Sequence, residues 1–173
     1  MHMRMLPRQF FDRPADLVAR DLLGCFLCVR MRDGIARHMI TETEAYMGPY
    51  DLACHASKGR TKRTEVLFAE PGTIYVYLIY GIHNMFNIVT GEKGYPAAVL
   101  IRGVAGINGP GLVTKGLGLG RCFNGMKLGR ALGVWVEARA ADFTAEIVRT
   151  PRIGVAYAGE WAHTELRFLM RPG

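Results

Sequence analysis

The pattern of apolar and polar positions predicts one short helix followed by a series of strands. Between Asp12 and Gly24, Val18 and Leu22 lie on one helical face, which predicts a helix that Asp12 caps, with Pro14 in its first turn and Gly24 at its end. Runs rich in β-branched and aromatic residues then predict strands. These strands are Cys25–Arg32, His38–Tyr46, Thr73–Ile79, Met85–Thr90 and Ala97–Arg102.

Turn residues between these runs indicate how the strands connect. The four residues from Tyr80 to His83 separate two strands and predict a hairpin with Tyr80 at its tip. Gly109 and Pro110 predict the start of a second helix, which runs to about Leu119. Two closing strands are predicted at Arg152–Ala156 and Leu166–Met170. Together these elements predict the α+β class: one mostly antiparallel β domain over residues 1–173, with short helices and a protruding hairpin.

Charge narrows the class of partner. The chain has 22 lysines and arginines against 15 acidic residues, a net charge of +7, which favours a polyanion such as nucleic acid. No apolar run is long enough to cross a bilayer, so we expect no membrane partner. The first residues lack the apolar core of a secretory signal. We therefore expect a cytoplasmic protein, associated with the nucleoid if it is bacterial.

Two of the cysteines form a CxxC motif in an apolar run. Cys25 and Cys28 lie in LLGCFLCV, and neither a second CxxC nor an HxxxH follows to complete a zinc site. Buried, reduced thiols fit this setting better than a redox pair, which needs polar exposure. We therefore expect no metal site and no cofactor.

The segment TETEAY carries the candidate chemistry. If Thr41–Tyr46 is a strand, Glu42, Glu44 and Tyr46 point to one face. Two carboxylates on one face are an arrangement that hydrolyses glycosidic bonds, whereas the alternative is an ordinary solvated strand face. The spacing leaves open which glutamate acts.

A basic, glycine-containing stretch follows this segment, after His55. Its positive residues suit phosphate contacts, although a solvated loop is the simpler interpretation. A large aromatic residue at an exposed tip, such as Tyr80, is harder to explain by packing, and a wedge between base pairs is one use for it. The candidate phosphate-binding residues are Lys58, Arg60, Lys62 and Arg63.

Four segments resemble, in order, motifs of the alkyladenine (3-methyladenine) DNA glycosylase family. They are TETEAYMGPYDLACHASKGRTKRT, PGTIYVYLIYGIHNMFNIV, GPGLVTKGLGL and PRIGVAYAGEWA, and the resemblance covers most of the chain from about Pro14. It implies a monofunctional enzyme that flips alkylated or deaminated purines out of duplex DNA. The enzyme would hydrolyse the N-glycosidic bond and leave an abasic site. It would act as a monomer, without a cofactor.

The resemblance also implies roles for single residues. Glu44 matches the carboxylate that activates water, while Arg102 and the backbone carbonyl of Ile153 match groups near that water. Tyr80 matches the residue that enters the duplex and fills the gap. Three aromatic residues match the pocket that sandwiches the flipped base, and an amide matches the group that guards against normal guanine. These four are Tyr46, His55, Tyr77 and Asn87. An extra residue within Gly94–Pro96, between the hairpin and the strand of Arg102, departs from the family pattern.

Two other functions fit parts of the pattern. A non-catalytic nucleic-acid-binding domain would use the same aromatic and basic residues, but it gives no reason for Glu44 beside Tyr46 on one strand face. A carbohydrate hydrolase would use Glu42 and Glu44. The basic stretch and the exposed Tyr80 fit poorly with a neutral sugar substrate.

Overall fold

A computed structural model describes residues 3–171 and arranges them around one continuous sheet. Its strands are β1 (Phe26–Met31), β2 (Gly34–Tyr46), β3 (Ile74–Ile79), β4 (His83–Thr90), β5 (Ala97–Val104), β6 (Ile107–Asn108), β7 (Val134–Glu137), β8 (Ile147–Thr150) and β9 (Arg167–Met170). The α-helices are α1 (Arg8–Phe11), α2 (Ala15–Leu22) and α3 (Pro110–Leu117). Short 3-10 helices cover His55–Lys58, Glu65–Phe68, Arg121–Phe123 and Ala156–Ala162.

Strand β2 connects the two halves of the sheet. The order is β3-β4-β5-β2-β1-β7, with β6 beside β5 and with β9 between β2 and β8. The first half of β2 pairs with β1, and the second half pairs with β5 and β9. Every pairing between these strands is antiparallel, which confirms the predicted α+β class with a mostly antiparallel sheet.

Helix α2 covers the centre of the sheet. Its buried face includes Val18 and Leu22, as the periodicity predicts. The Thr43 hydroxyl of β2 donates a hydrogen bond to the Ala19 carbonyl at 2.8 Å, which satisfies a buried polar group and ties the helix to this strand. The second half of β2 is thus fixed from one face and both edges.

The predicted strands are confirmed with small changes in their bounds, whereas two local predictions are wrong. Asp12 does not cap the helix, because α2 begins only at Ala15, after Pro14, and no side chain caps it. Arg152–Ala156 is not a strand. Those residues form a turn and the start of a 3-10 helix, because Gly154, with a φ of 76°, turns the backbone while the Arg152 side chain is buried in an ion pair with Asp51. The sequence analysis did not predict α1, β6, β7 and β8.

The hairpin protrudes as predicted. The register Ile79↔His83 leaves a three-residue turn of Tyr80, Gly81 and Ile82. Tyr80 has a φ of 53° and is 85% exposed, and Ile82 is also exposed. A bulky residue in the left-handed region is uncommon, so the phenol stands in solvent on a constrained backbone.

The remaining predictions on the cysteines and on membranes concern burial. Cys25 and Cys28 are buried free thiols, as predicted. Burial raises the pKa of the Cys28 thiol to about 12, which keeps it protonated and unreactive. In the described part of the chain, no helix has both the length and the apolar character needed to span a bilayer.

Candidate active site

An open cleft of about 450 Å³ lies where the end of β2 meets β5, the β3–β4 hairpin and the turn at residues 152–155. Glu44 lies at its floor, with a side chain that is 0% exposed. The walls combine aromatic, apolar and positively charged side chains. Its lining includes Tyr46, His55, Arg63, Tyr77, Tyr80, Arg102, Ile153 and Tyr157.

Both carboxylate oxygens of Glu44 have partners. The Tyr46 hydroxyl donates to Oε1 at 3.0 Å, and the Ile153 backbone N–H donates to Oε2 at 2.7 Å. Arg102 Nη1 lies 3.7 Å from Oε1. Burial raises the pKa of the Glu44 carboxyl, while Arg102 and the two hydrogen bonds act in the opposite direction. The result is an oriented carboxylate whose pKa is above the ordinary range of a glutamate.

The two glutamates that share a strand face have different surroundings. Glu42 Oε1 accepts hydrogen bonds from Arg167 Nε at 2.6 Å and from Arg102 Nε at 3.0 Å. Glu42 does not line the cleft, whereas Glu44 does. The geometry therefore separates a carboxylate held between two guanidinium groups from one that faces the open cleft, which the spacing alone left undecided.

A smaller pocket opens beside Glu44, and the four predicted base-pocket residues line it: Tyr46, His55, Tyr77 and Asn87. The rings of His55 and Tyr77 meet edge to face, with centroids 4.5 Å apart and planes at 66°. The His55 Nδ1 lies 2.9 Å from the Tyr75 hydroxyl. Burial, with Arg63 and Lys58, lowers the pKa of His55 to about 4, so the imidazole is neutral at pH 7.

Asn87 is fixed rather than free in this pocket. It is 2% exposed, and its Nδ2 donates to the carbonyls of Tyr75 and Met85, both at 3.2 Å. Both amide protons are thus used within the β3–β4 hairpin. A side chain held in this way presents a rigid surface to any ligand in the pocket.

The four basic candidates differ in where they point. Arg63 lines the cleft, with its guanidinium 5.5 Å from the centre of the Tyr77 ring. Lys58 lines a neighbouring groove that shares Arg63 with the cleft. Arg60 is directed away, toward Glu65 at 3.4 Å and the Phe68 ring. Lys62 is exposed and lines neither the cleft nor the groove.

Sequence reasoning missed a buried ion pair that supports the site. Arg152 and Asp51, both with 0% exposed side chains, form a two-pronged pair in which Nη2 donates to Oδ1 at 2.8 Å. Arg152 also donates to the Ala45 carbonyl and stacks 4.9 Å from the centre of the Tyr46 ring. The pair therefore holds Tyr46 and, because Ile153 directly follows Arg152, also the Ile153 N–H that donates to Glu44. An aspartate in a turn and an arginine after a proline gave no signal that they would meet.

Comparison with known proteins identifies the class and then the family. The sequence model of a family described as "Methylpurine-DNA glycosylase (MPG)" matches residues 9–107 and 105–172. The chain therefore belongs to the methylpurine-DNA glycosylase family, which are DNA glycosylases, hydrolases that act on N-glycosyl bonds.

Relatives match over nearly the full length. A protein of Myxococcus xanthus (strain DK1622) is 46% identical over 98% of this chain and 91% of its own length. Relatives from Methanocella arvoryzae and Legionella pneumophila (strain Corby) are each 44% identical, over 96% and 98% of this chain and over 92% and 96% of their own lengths. All three carry the name "Putative 3-methyladenine DNA glycosylase".

Proposed function

We propose that this DNA glycosylase flips alkylated or deaminated purines out of duplex DNA and hydrolyses the N-glycosidic bond with Glu44 as the base. The observation that carries the proposal is the buried Glu44 carboxylate, oriented by the Tyr46 hydroxyl and the Ile153 N–H at the floor of a basic, aromatic-lined cleft. A base inside a duplex cannot reach such a floor, so the nucleotide must leave the stack.

The geometry of the aromatic rings supports one arrangement of the flipped base. Stacked bases lie about 3.4 Å apart, so a sandwiched base needs two ring planes about 7 Å apart. His55 and Tyr77 are already in contact at 4.5 Å and leave no such space. The base would therefore stack against the His55–Tyr77 pair on one side and Tyr46 on the other, with the fixed Asn87 amide limiting what its edge can carry.

Charge around the pocket supports purines made cationic by alkylation. His55 is neutral at pH 7, so it adds no positive charge that would repel such a base. Electron-rich tyrosine rings attract a cation, and a cationic purine leaves readily without help from an acid. A neutral deaminated purine would depend on the pocket contacts and on Glu44 alone.

The hydrolytic step follows from the position of Glu44. As the bond to the base weakens, the sugar acquires oxocarbenium character, which a nearby carboxylate stabilises. The same carboxylate takes a proton from the attacking water, which then adds at the anomeric carbon as the base departs. Arg102 lies 3.7 Å from Glu44, and the Ile153 N–H donates to Glu44. We therefore assign Arg102 and the Ile153 backbone, including its carbonyl, to orienting the attacking water.

The cleft also supports a monofunctional reaction. Among residues 3–171, no lysine lines the Glu44 cleft, so the described residues offer it no side-chain amine for a Schiff base. The product would be an abasic site in an intact strand. The same part of the chain contains no cluster of three or more His, Cys, Asp or Glu side chains arranged as metal ligands, and we propose a reaction without metal or cofactor, carried out by a monomer.

Release of free base tests the proposed reaction. Incubation with duplexes that carry 3-methyladenine, 7-methylguanine, hypoxanthine or ethenoadenine should release the damaged base while the strand stays intact until alkali is added. Undamaged duplex is the control. Tight binding of lesion DNA without base release would favour a non-catalytic binding domain. Strand cleavage without alkali would contradict the monofunctional assignment.

Tyr80 and Arg63 should fail in different ways when replaced. Tyr80→Ala should slow flipping, because no ring then fills the emptied stack, and the defect should shrink when the lesion lies in a bulge, where unstacking is already cheap. Arg63→Ala should weaken binding to paired and bulged duplexes about equally. It should also reduce the salt dependence of binding by about one phosphate contact.

The measurement is excision rate and affinity against salt for both variants. Arg60→Ala is the matched control, since Arg60 points toward Glu65 and Phe68 rather than into the cleft. A uniform loss in Tyr80→Ala that a bulge does not rescue would show that Tyr80 only packs.

A further inference from the structure

Four charged side chains of alternating sign run from strand β9 to the catalytic cleft. In spatial order they are Arg167 on β9, Glu42 on β2, Arg102 on β5 and Glu44 on β2. The distances between successive charged groups are 2.6, 3.0 and 3.7 Å. The proposed reaction uses only the last two, and nothing in it explains why a second acid and a second arginine extend the row.

The backbone brings this row together. Register shifts between β2 and β5 fall on both sides of Glu42, whose carboxylate accepts a hydrogen bond from Arg102 of β5. A Cβ at Gly103 would lie only 3.2 Å from the Glu42 Cβ, so glycine lets β5 approach closely here. On the other edge of β2, Arg167 is the register partner of Glu44. Glu42 is thus held where both arginines reach one oxygen, Oε1.

We propose that Glu42 and Arg167 are positioning residues that set how strongly Arg102 pairs with Glu44, the proposed catalytic base. In this arrangement the Arg102 guanidinium is shared between Glu42 and Glu44. This inference rests on the proposed role of Glu44. Arg102 spends its Nε on Glu42 and lies 3.7 Å from Glu44, too far for a hydrogen bond. Glu42 therefore holds Arg102 back from full pairing with Glu44, and Arg167 limits that pull by occupying the same Glu42 oxygen.

The distance between Arg102 and Glu44 affects how readily Glu44 accepts a proton. A carboxylate in a full two-pronged pair with arginine is stable but a poor proton acceptor, and its oxygens are no longer available to water. A buried carboxylate with no cation would instead stay protonated at neutral pH. An arginine held at 3.7 Å places Glu44 between these extremes, because it offsets part of the effect of burial on the pKa without hydrogen-bonding to the carboxylate.

We expect the other groups around Glu44 to keep their positions when Glu42 or Arg167 is replaced. They belong to four different elements, and none of them contacts Glu42 or Arg167. They are Tyr46, Tyr77, Arg152, the Ile153 N–H and Tyr157.

Two variants should move the acidic limb of the pH–rate profile in opposite directions. Glu42→Gln removes a neighbouring negative charge and frees Arg102 for Glu44, so the limb should shift to lower pH. Arg167→Gln removes a positive charge and lets Glu42 draw Arg102 away, so the limb should shift to higher pH. Arg171→Gln, at the exposed pair with Glu146, is the control and should leave the limb in place. Single-turnover excision from pH 4.5 to 8 measures all three.

An activity-independent readout completes the test. Carbon-13 NMR of labelled glutamate carboxyls should show the same opposite shifts in the titration of Glu44, and both should largely vanish in an Arg102→Met background, because the effect passes through Arg102. Shifts that persist without Arg102 would reduce the row to simple charge effects. Unshifted limbs, with rates lowered equally, would assign Glu42 and Arg167 to folding alone. A wild-type acidic limb that survives Glu44→Gln would instead overturn the role of Glu44 itself.

Discussion

Replacing Glu44 with glutamine should abolish base excision while lesion DNA still binds. The amide keeps the size of the carboxyl and can still accept from the Ile153 N–H, but it cannot take a proton from water or stabilise a positively charged sugar. General-base catalysis contributes about 10²–10⁴-fold, so we expect a loss of at least that size in the single-turnover rate. Rates near wild type would move the catalytic role to Glu42.

The fold should not suffer from this change. Because burial raises the pKa of Glu44, the protonated carboxyl is the form that favours folding, and stability falls as pH rises through that pKa. A neutral amide avoids this loss. At pH 7 the free energy of unfolding of Glu44→Gln should therefore equal or exceed that of wild type, and urea unfolding measures it. A clear loss of stability would indicate that Glu44 serves mainly to hold the cleft together.

Replacing Asp51 with alanine should cause the largest loss of stability. The change leaves the Arg152 guanidinium buried, with 0% of its side chain exposed and no counter-charge. It also removes the acceptor for the N–H groups of Met47 and Ala53. Breaking one side of a buried ion pair costs about 3–5 kcal/mol. We expect a decrease of that size in the free energy of unfolding. Excision should also be lost, because Arg152 contacts Tyr46 and directly precedes Ile153, and both residues hydrogen-bond to Glu44.

A matched exposed pair provides the control. Glu146 and Arg171 contact each other at 2.8 Å, with side chains 63% and 59% exposed. Glu146→Ala should change the free energy of unfolding by no more than about 0.5 kcal/mol, since exposed pairs contribute little. If Asp51→Ala lowered the free energy of unfolding no more than Glu146→Ala, the buried ion pair would contribute little to stability, and water or rearranged side chains would take its place.

Most strands could be predicted because their runs of β-branched and aromatic residues are also runs that the fold buries or half-buries. Thr73–Ile79 and Met85–Thr90 are dense in β-branched and aromatic residues, and both form the hairpin at nearly the predicted bounds. Helix α2 was predicted by its buried face, but its start was not, because the sequence contains a good capping residue at Asp12 that the backbone does not use.

The errors in the strand predictions have two physical causes. The turn at Arg152 contains an apolar stretch that resembles a strand, yet Val155 packs against Ala53 and Ala158 rather than in the sheet. Strand periodicity cannot distinguish such a turn from a strand, because the contact between Arg152 and Asp51 joins residues that are far apart in the sequence. Strands β7 and β8 have only four residues each, too few for a period to show.

The candidate site was predictable in its residue types but not in its pairings. Alternation placed Glu42 and Glu44 on one face, which the shared contact with Arg102 bears out. What separates them is how each carboxylate meets arginine side chains from β5 and β9 and the backbone N–H of residue 153. Those contacts join positions 58 to 125 residues apart, and local patterns carry no information at such separations.

The central place of β2 has a consequence for how motion is distributed. The Glu44 segment is paired on both edges, whereas the tip of the β3–β4 hairpin has only its own turn. Amide hydrogens around Glu44 can therefore exchange with solvent only when the sheet opens as a whole, while those at Tyr80 and Gly81 can exchange through local openings. The tip where we propose that Tyr80 enters the duplex can thus fluctuate locally, without a matching fluctuation at the Glu44 carboxylate.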